Sequence, residues 1–184
     1  MHMSGSAFAA AAPVQPQNSL LPLVDAAAQR LQAADPVAAA KYTTGGAIDD
    51  PKREQQVFDI VTKAAKANDI DPAYVVTVFR NQIDATSAVE HTRFAQWKLD
   101  PTSAPVAATD LAHSRTTIDS LNHSMVREIA AQWDVLHSPM CRSELNNALQ
   151  NVVAARALDE VYQAALSYAT HSYCTSSVHI VEEN

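Results

Sequence analysis

Glycine is almost absent from this chain; Gly5, Gly45 and Gly46 are the only three. A P-loop or a dinucleotide fingerprint needs several glycines where backbone meets phosphate, so neither can be built. Aromatic residues make up 6% of the chain and β-branched alternation is scarce, which argues against an all-β fold. No apolar run approaches the roughly 20 residues that a membrane span requires. The two cysteines, Cys141 and Cys174, do not form a C-x-x-C, so thiol-disulfide catalysis is not indicated. None of the histidines makes an H-E-x-x-H or H-x-x-x-H pair or lies at zinc spacing from a cysteine, so no metal site is expected. No G-x-S-x-G nucleophile motif occurs either. Positive charge is also short: 13 Lys and Arg stand against 20 Asp and Glu, a net charge of −7. That balance argues against a general nucleic-acid binder. Any anion bound here has to be held by locally placed cations.

What remains is an alanine-rich chain of 184 residues, 47% hydrophobic, a length that suits one domain. Met1–Ser6 reads as a tag-like remnant, and the alanine-rich piece ending at Pro13 resembles the small-residue tail of a secretory signal. Residues 1–17 are therefore expected to be a disordered leader remnant outside the fold. An even cysteine count in a chain with a leader-like N-terminus suggests one disulfide, the alternative being two buried free thiols. In the chain-entropy model such a bridge stabilises by about 3–4 kcal/mol.

Periodicity and punctuation predict five helical segments. The first runs from about Ser19 to Tyr42, kinked at Asp35-Pro36 because its apolar stripe continues in phase across that pair. Gly45-Gly46 ends it. Asp50-Pro51 and Asp71-Pro72 each read as an N-cap followed by a first helical proline. They open helices to about Asn68 and Leu99. A loop over 100–109 precedes a helix from Asp110 to about His137, and Ser138-Pro139 opens the last, to about Tyr173. The expected architecture is an all-α bundle of about five to six helices.

Polar residues interrupt the apolar stripes of these helices. Arg30 and Lys41 lie on the face shared by Leu20, Leu23, Ala27 and Val37; eleven steps of about 100° bring them within about 20° of each other. Thr86 and Glu90 sit in the stripe of Phe79, Ile83 and Phe94, Arg115 in that of Leu111 and Ile118, and Arg53 one turn before Val57. Each has an ordinary explanation: a long cation can snorkel to water, Thr can bond its own backbone, and Glu can pair with Arg. Together, though, four inward cations face one carboxylate, and burying them unpaired would cost several kcal/mol each, about the scale of single-ion desolvation. A pocket for a ligand carrying two or more negative charges resolves the conflict.

The segments VDAAAQRLQAADPVAAAK (24–41), DDPKRE (49–54), IDPAYVVTVFRNQIDATSAVE (70–90), RFAQWK (93–98) and SRTTIDSLN (114–122) resemble the secreted, all-helical chorismate mutases, the gamma subclass of the AroQ class. The resemblance covers about 18–176, and the two cysteines fall where that subclass places its disulfide. It implies one catalytic domain over 18–176. Residues 18–100 would carry the core helices, 101–176 would add C-terminal helices that contribute Arg115, and 177–184 would be a frayed tail. The family converts chorismate to prephenate by a [3,3] rearrangement that needs no cofactor, metal, nucleophile or proton transfer.

By this resemblance Arg30 and Arg115 would clamp substrate carboxylates, Arg53 would add a further cation and Thr86 would support a carboxylate. Lys41 would donate to the ether oxygen, which Glu90 would also approach. Either Glu54 or Gln56 would accept from the substrate hydroxyl. A homodimer with a complete site in each protomer, secreted or periplasmic, is implied, with no nucleic-acid or membrane partner. A non-catalytic exported module that binds a dicarboxylate is the alternative; it accounts for the cations but not for Lys41, Thr86 and Glu90 matching together.

Overall fold

A computed structural model describes residues 18–107 and 110–175. The expected leader remnant over 1–17 and frayed tail over 177–184 lie outside the described residues. Among those described, every regular element is helical: α1 (Leu21–Gln32), α2 (Ala34–Thr44), α3 (Pro51–Ala67), α4 (Pro72–Leu99), α5 (Leu111–Ala131), α6 (Trp133–Leu136), α7 (Cys141–Ala155) and α8 (Glu160–Thr170), with a 3-10 turn at Pro101–Ser103.

Aspartates start four of these helices. Asp50, Asp71, Asp110 and Asp159 each accept a backbone N–H of the first turn, and Pro51 and Pro72 occupy the first helical positions. Three of the five expected segments are divided, so the described residues form eight helices rather than five or six. The first breaks at Ala33, whose backbone stays right-handed helical, as a kink requires. Pro36 brings no N–H to the Gln32 carbonyl four residues back, and the Tyr162 hydroxyl reaches that carbonyl at 3.5 Å. The second break is the single residue Gln132, between α5 and α6. The third is a turn over residues 156–159, where Ala157 takes a left-handed conformation with φ of 48° and the buried Leu158 pins the corner to the core. Neither of the last two breaks contains Gly or Pro, so periodicity ran across both.

Helix α1 is the centre of the bundle. Leu23, Val24, Ala26, Ala27, Ala28 and Leu31 are all buried, and α1 packs against α4, α5, α7 and α8. Its small residues let four neighbours approach closely. The 28-residue α4 is the longest element and carries α2, α3 and α8 along its length. Cys141, first residue of α7, is disulfide-bonded to Cys174, 33 residues later. The Tyr74 hydroxyl of α4 donates to the Tyr173 carbonyl at 2.5 Å, so the segment just after α8 is tied to the bundle from two sides.

Candidate active site

Helices α1, α2, α3, α4 and α5 enclose a small cavity of about 90 Å³ at one end of the bundle. Arg30, Lys41, Arg53, Glu54, Thr86, Glu90 and Arg115 all line it, with Val37, Ile48, Val57, Ile83 and Ile118 as apolar walls. Seven of the eight site residues expected from sequence therefore converge. The eighth does not: Gln56 is exposed and absent from the lining. On α3 the inward position after Arg53 is taken by Val57, a full turn on, and Gln56 falls short of it.

The four cations differ in their surroundings. Arg30 is 3% exposed, so it does not snorkel. Its Nε donates to Asn122 Oδ1 at 2.6 Å and its Nη1 to Thr86 Oγ1 at 3.4 Å. Burial, and secondarily the charge of Arg53, lower its pKa to about 10, which still leaves it cationic at neutral pH. Lys41 Nζ donates to the Ile48 carbonyl at 2.7 Å and to Glu90 Oε2 at 2.9 Å. The left-handed Gly45 ends α2, and the chain then doubles back to bring Ile48 beneath Lys41. Arg53 pairs with Asp119 at 2.6 Å and Arg115 with Asp50 at 3.3 Å.

These pairs correct the charge count read from sequence. The cations do not face one carboxylate: Asp50, Glu54 and Glu90 line the cavity, and Asp119 stands behind Arg53. Among the described residues, Arg30 is the one lining cation with no carboxylate within salt-bridge distance. Asp50 and Asp119 were missed because each looked like something else. Asp50 is the N-cap of α3, accepting from Arg53 N–H at 3.0 Å while its other oxygen meets Arg115. Asp119, four residues beyond Arg115 on α5, sits beside the apolar stripe and reads as a solvated acid. Pairing across helices depends on helix rotation, which the stripe alone does not give.

Glu90 is 4% exposed. Burial raises its pKa, and the hydrogen bond and charge of Lys41 only partly oppose that. A carboxyl held towards its protonated form can donate a hydrogen bond. The site thus offers guanidinium and ammonium groups for anionic oxygens, and a carboxyl and an ammonium side by side for a neutral oxygen between them. Among the described residues, no group of three or more His, Cys, Asp or Glu could hold a metal.

A larger groove of about 740 Å³ lies between α4 and α8, but Ala85, Ala88, Val89, Val161 and Ala164 line it with Asp84 and Glu160. No Lys or Arg lines it, whereas four line the smaller cavity. That cavity is below the roughly 300–1,000 Å³ typical of ligand sites. Arg115 and Asp50, which line it, are each about 40% exposed.

A helical bundle that gathers four cations from four helices around one buried carboxyl defines the class. Residues 22–91 match the family Chorismate mutase type II. The chain is 68% identical over 155 residues to the secreted chorismate mutase of Mycolicibacterium smegmatis, covering 84% of this chain and 86% of that one. It is 46% identical over 157 residues to the secreted chorismate mutase of Mycobacterium tuberculosis, covering 85% and 79%. The crystal structure of chorismate mutase from Burkholderia thailandensis superposes with a TM-score of 0.80 at 33% identity, covering 86% of this chain and all of that one. This chain belongs to the chorismate mutase family.

Proposed function

We infer that this enzyme converts chorismate to prephenate in the cavity between α1 and α5, and that the cations lining it select and hold the reactive conformer. The observation that carries the reading is the convergence of Arg30, Lys41, Arg53 and Arg115, from four helices, around the buried Glu90. Chorismate bears two carboxylates, an ether oxygen and a hydroxyl. Its rearrangement breaks the ether C–O bond and forms a C–C bond within one molecule, so the protein has only to position and to stabilise charge.

Arg30 and Arg115 would clamp the carboxylates, a task for which the guanidinium fork suits better than an ammonium. Thr86, bonded to Arg30, would support the same carboxylate, and Arg53 would add positive potential at that side. As the C–O bond lengthens, negative charge grows on the ether oxygen. Lys41 and protonated Glu90 would both donate to it. Because that charge is largest in the transition state, these two donors lower the barrier rather than merely tighten binding. Glu54 would accept from the hydroxyl; its carboxylate is held by Arg80 at 3.0 Å on the rim.

All these side chains belong to one chain, so a homodimer would carry two complete sites. Sedimentation velocity tests that state, with a monomer refuting it. The Cys141–Cys174 disulfide and the secreted relatives both accord with export.

The decisive experiment follows chorismate ultraviolet absorbance after adding wild-type protein and Arg30→Ala. Loss of absorbance with the first and little with the second is expected. Equal loss with both would displace the chemistry from this cavity.

A further inference from the structure

Arg30 is held in a way that sets it apart from the half-buried arginines Arg93 and Arg156. Arg156 is fixed through its Nε by the carboxylate of Asp25 at 2.6 Å, and neither residue lines the cavity. Arg93 is fixed the same way by Asp35 at 2.7 Å. In both, the guanidinium charge is neutralised by its anchor. Arg30 Nε meets its anchor at the same distance, 2.6 Å, but that anchor is the neutral amide of Asn122.

Asn122 is fully buried in the middle of α5, 92 residues from Arg30 in sequence. Its own Nδ2 is buried without a hydrogen-bond partner among the described residues. An orphaned amide N–H is a cost that an apolar residue of similar size would avoid. Packing therefore does not account for an asparagine at this place, whereas its Oδ1 is the sole acceptor on Arg30 Nε. Holding Nε from α5 fixes the guanidinium plane, and Thr86 Oγ1 sets one Nη. The remaining N–H groups are left for the cavity, which Arg30 lines. A neutral anchor orients the arginine and leaves its whole charge for an incoming anion.

We propose that Asn122 is a positioning residue for substrate binding, acting through Arg30 as an uncharged acceptor that aims the guanidinium without neutralising it. This rests on the cavity being the mutase site. Replacing Asn122 by Asp keeps an oxygen on Nε, yet places a carboxylate beside Arg30, which holds it ionised. The clamp then stays aimed but loses field.

The test measures chorismate kcat and KM, with melting temperature, for wild type, Asn122→Asp, Asn122→Leu, Arg30→Ala and the double variant Arg30→Ala/Asn122→Leu. For Asn122→Asp, KM should rise about tenfold, the scale of one charge-assisted bond, while kcat changes by less than about threefold. Asn122→Leu should lower kcat/KM at least as far. Once Arg30 is gone, the same leucine should cost nothing further, because the two residues act as one unit. A wild-type KM in Asn122→Asp, or full additivity in the double variant, overturns the proposal. If Asn122→Leu does not fold, Asn122→Asp alone decides. Wild type that leaves chorismate intact refutes the site itself, and so is distinct from an active wild type with indifferent Asn122 variants.

Discussion

Lys41 Nζ and Glu90 Oε2 stand 2.9 Å apart on the wall of the cavity, and burial still raises the Glu90 pKa despite that ammonium. Desolvation outweighs the adjacent ammonium, so the carboxyl holds its proton to higher pH than it would in water. A bound dianion strengthens that bias, because it offsets the charges of Lys41 and the arginines. Deprotonation removes a donor to the ether oxygen. Chorismate kcat should therefore fall as pH rises, and Glu90→Gln, a donor at every pH, should flatten the fall. A variant that keeps the wild-type profile shows that another group is responsible.

The same shift has a consequence for stability. A carboxyl whose folded pKa lies above its unfolded value binds more protons when folded, so its contribution is fully present below the unfolded pKa and is lost as pH rises through the folded one. Urea unfolding of wild type and Glu90→Gln, run from acid to neutral pH, should show wild type losing stability relative to the variant as pH rises. The opposite slope would mean that Lys41 dominates and that Glu90 is ionised.

Arg30 and Arg115 should separate under mutation, because one is buried and the other is not. Arg30→Ala should lower kcat/KM by about 10²-fold or more, the usual loss on removing a charged donor from a preorganised site. It also strands Asn122 Oδ1 and so should cost about 1–3 kcal/mol of stability. Arg115 is 40% exposed on its pair with Asp50, and exposed pairs contribute about 0–1 kcal/mol. Arg115→Ala should thus lower kcat/KM with little change in melting temperature. A large stability loss on Arg115→Ala, with turnover intact, would make it a structural residue.

The helix starts and the inward cations were legible in the sequence for a shared reason: both are local. Asp50-Pro51 and Asp71-Pro72 specify an N-terminus within two residues, and the inward phase of Arg30, Lys41, Thr86, Glu90 and Arg115 follows from counting along the apolar stripe of each one's own segment. What was not legible depends on two elements at once. The partners of the cations, Asp119 for Arg53 and Asp50 for Arg115, are settled by how α3 and α5 rotate against each other. Asn122 sat in plain view on the α5 stripe beside Met125, but an asparagine there gives no hint of which helix it serves. The α7–α8 corner was hidden because it is made by an alanine, not by a glycine.

The Cys141–Cys174 bridge closes a loop of 33 residues holding α7, α8 and the 156–159 corner. Loop-closure entropy assigns it about 3–4 kcal/mol. For a domain of this size, that is about 7–15 °C in melting temperature. Cys141→Ser/Cys174→Ser should melt lower by that amount. None of the residues lining the cavity belongs to the bridged segment, so kcat and KM well below the melting point should be preserved. A twofold or smaller change in kcat with a clear drop in melting temperature is the expected pair. Lost turnover in the folded variant would mean that the bridge shapes the site.

Ala157 offers the opposite case, a place where the natural residue is the costly one. Its φ of 48° lies in the left-handed region, which costs a residue with a Cβ about 1–2 kcal/mol. Ala157 is exposed, so its methyl returns little packing. Glycine adopts the same backbone without that strain, although it gives the unfolded chain more freedom to lose. The two effects leave a net gain of about 0.5–1 kcal/mol for Ala157→Gly, or about 1–4 °C in melting temperature. Asp159, two residues on, caps α8 through its bond to the Tyr162 N–H at 2.9 Å; Asp159→Ala should destabilise by about 1 kcal/mol. Thermal unfolding of the two variants, side by side, should move in opposite directions. A lower melting temperature for Ala157→Gly would show that the alanine stiffens the corner by more than its strain costs.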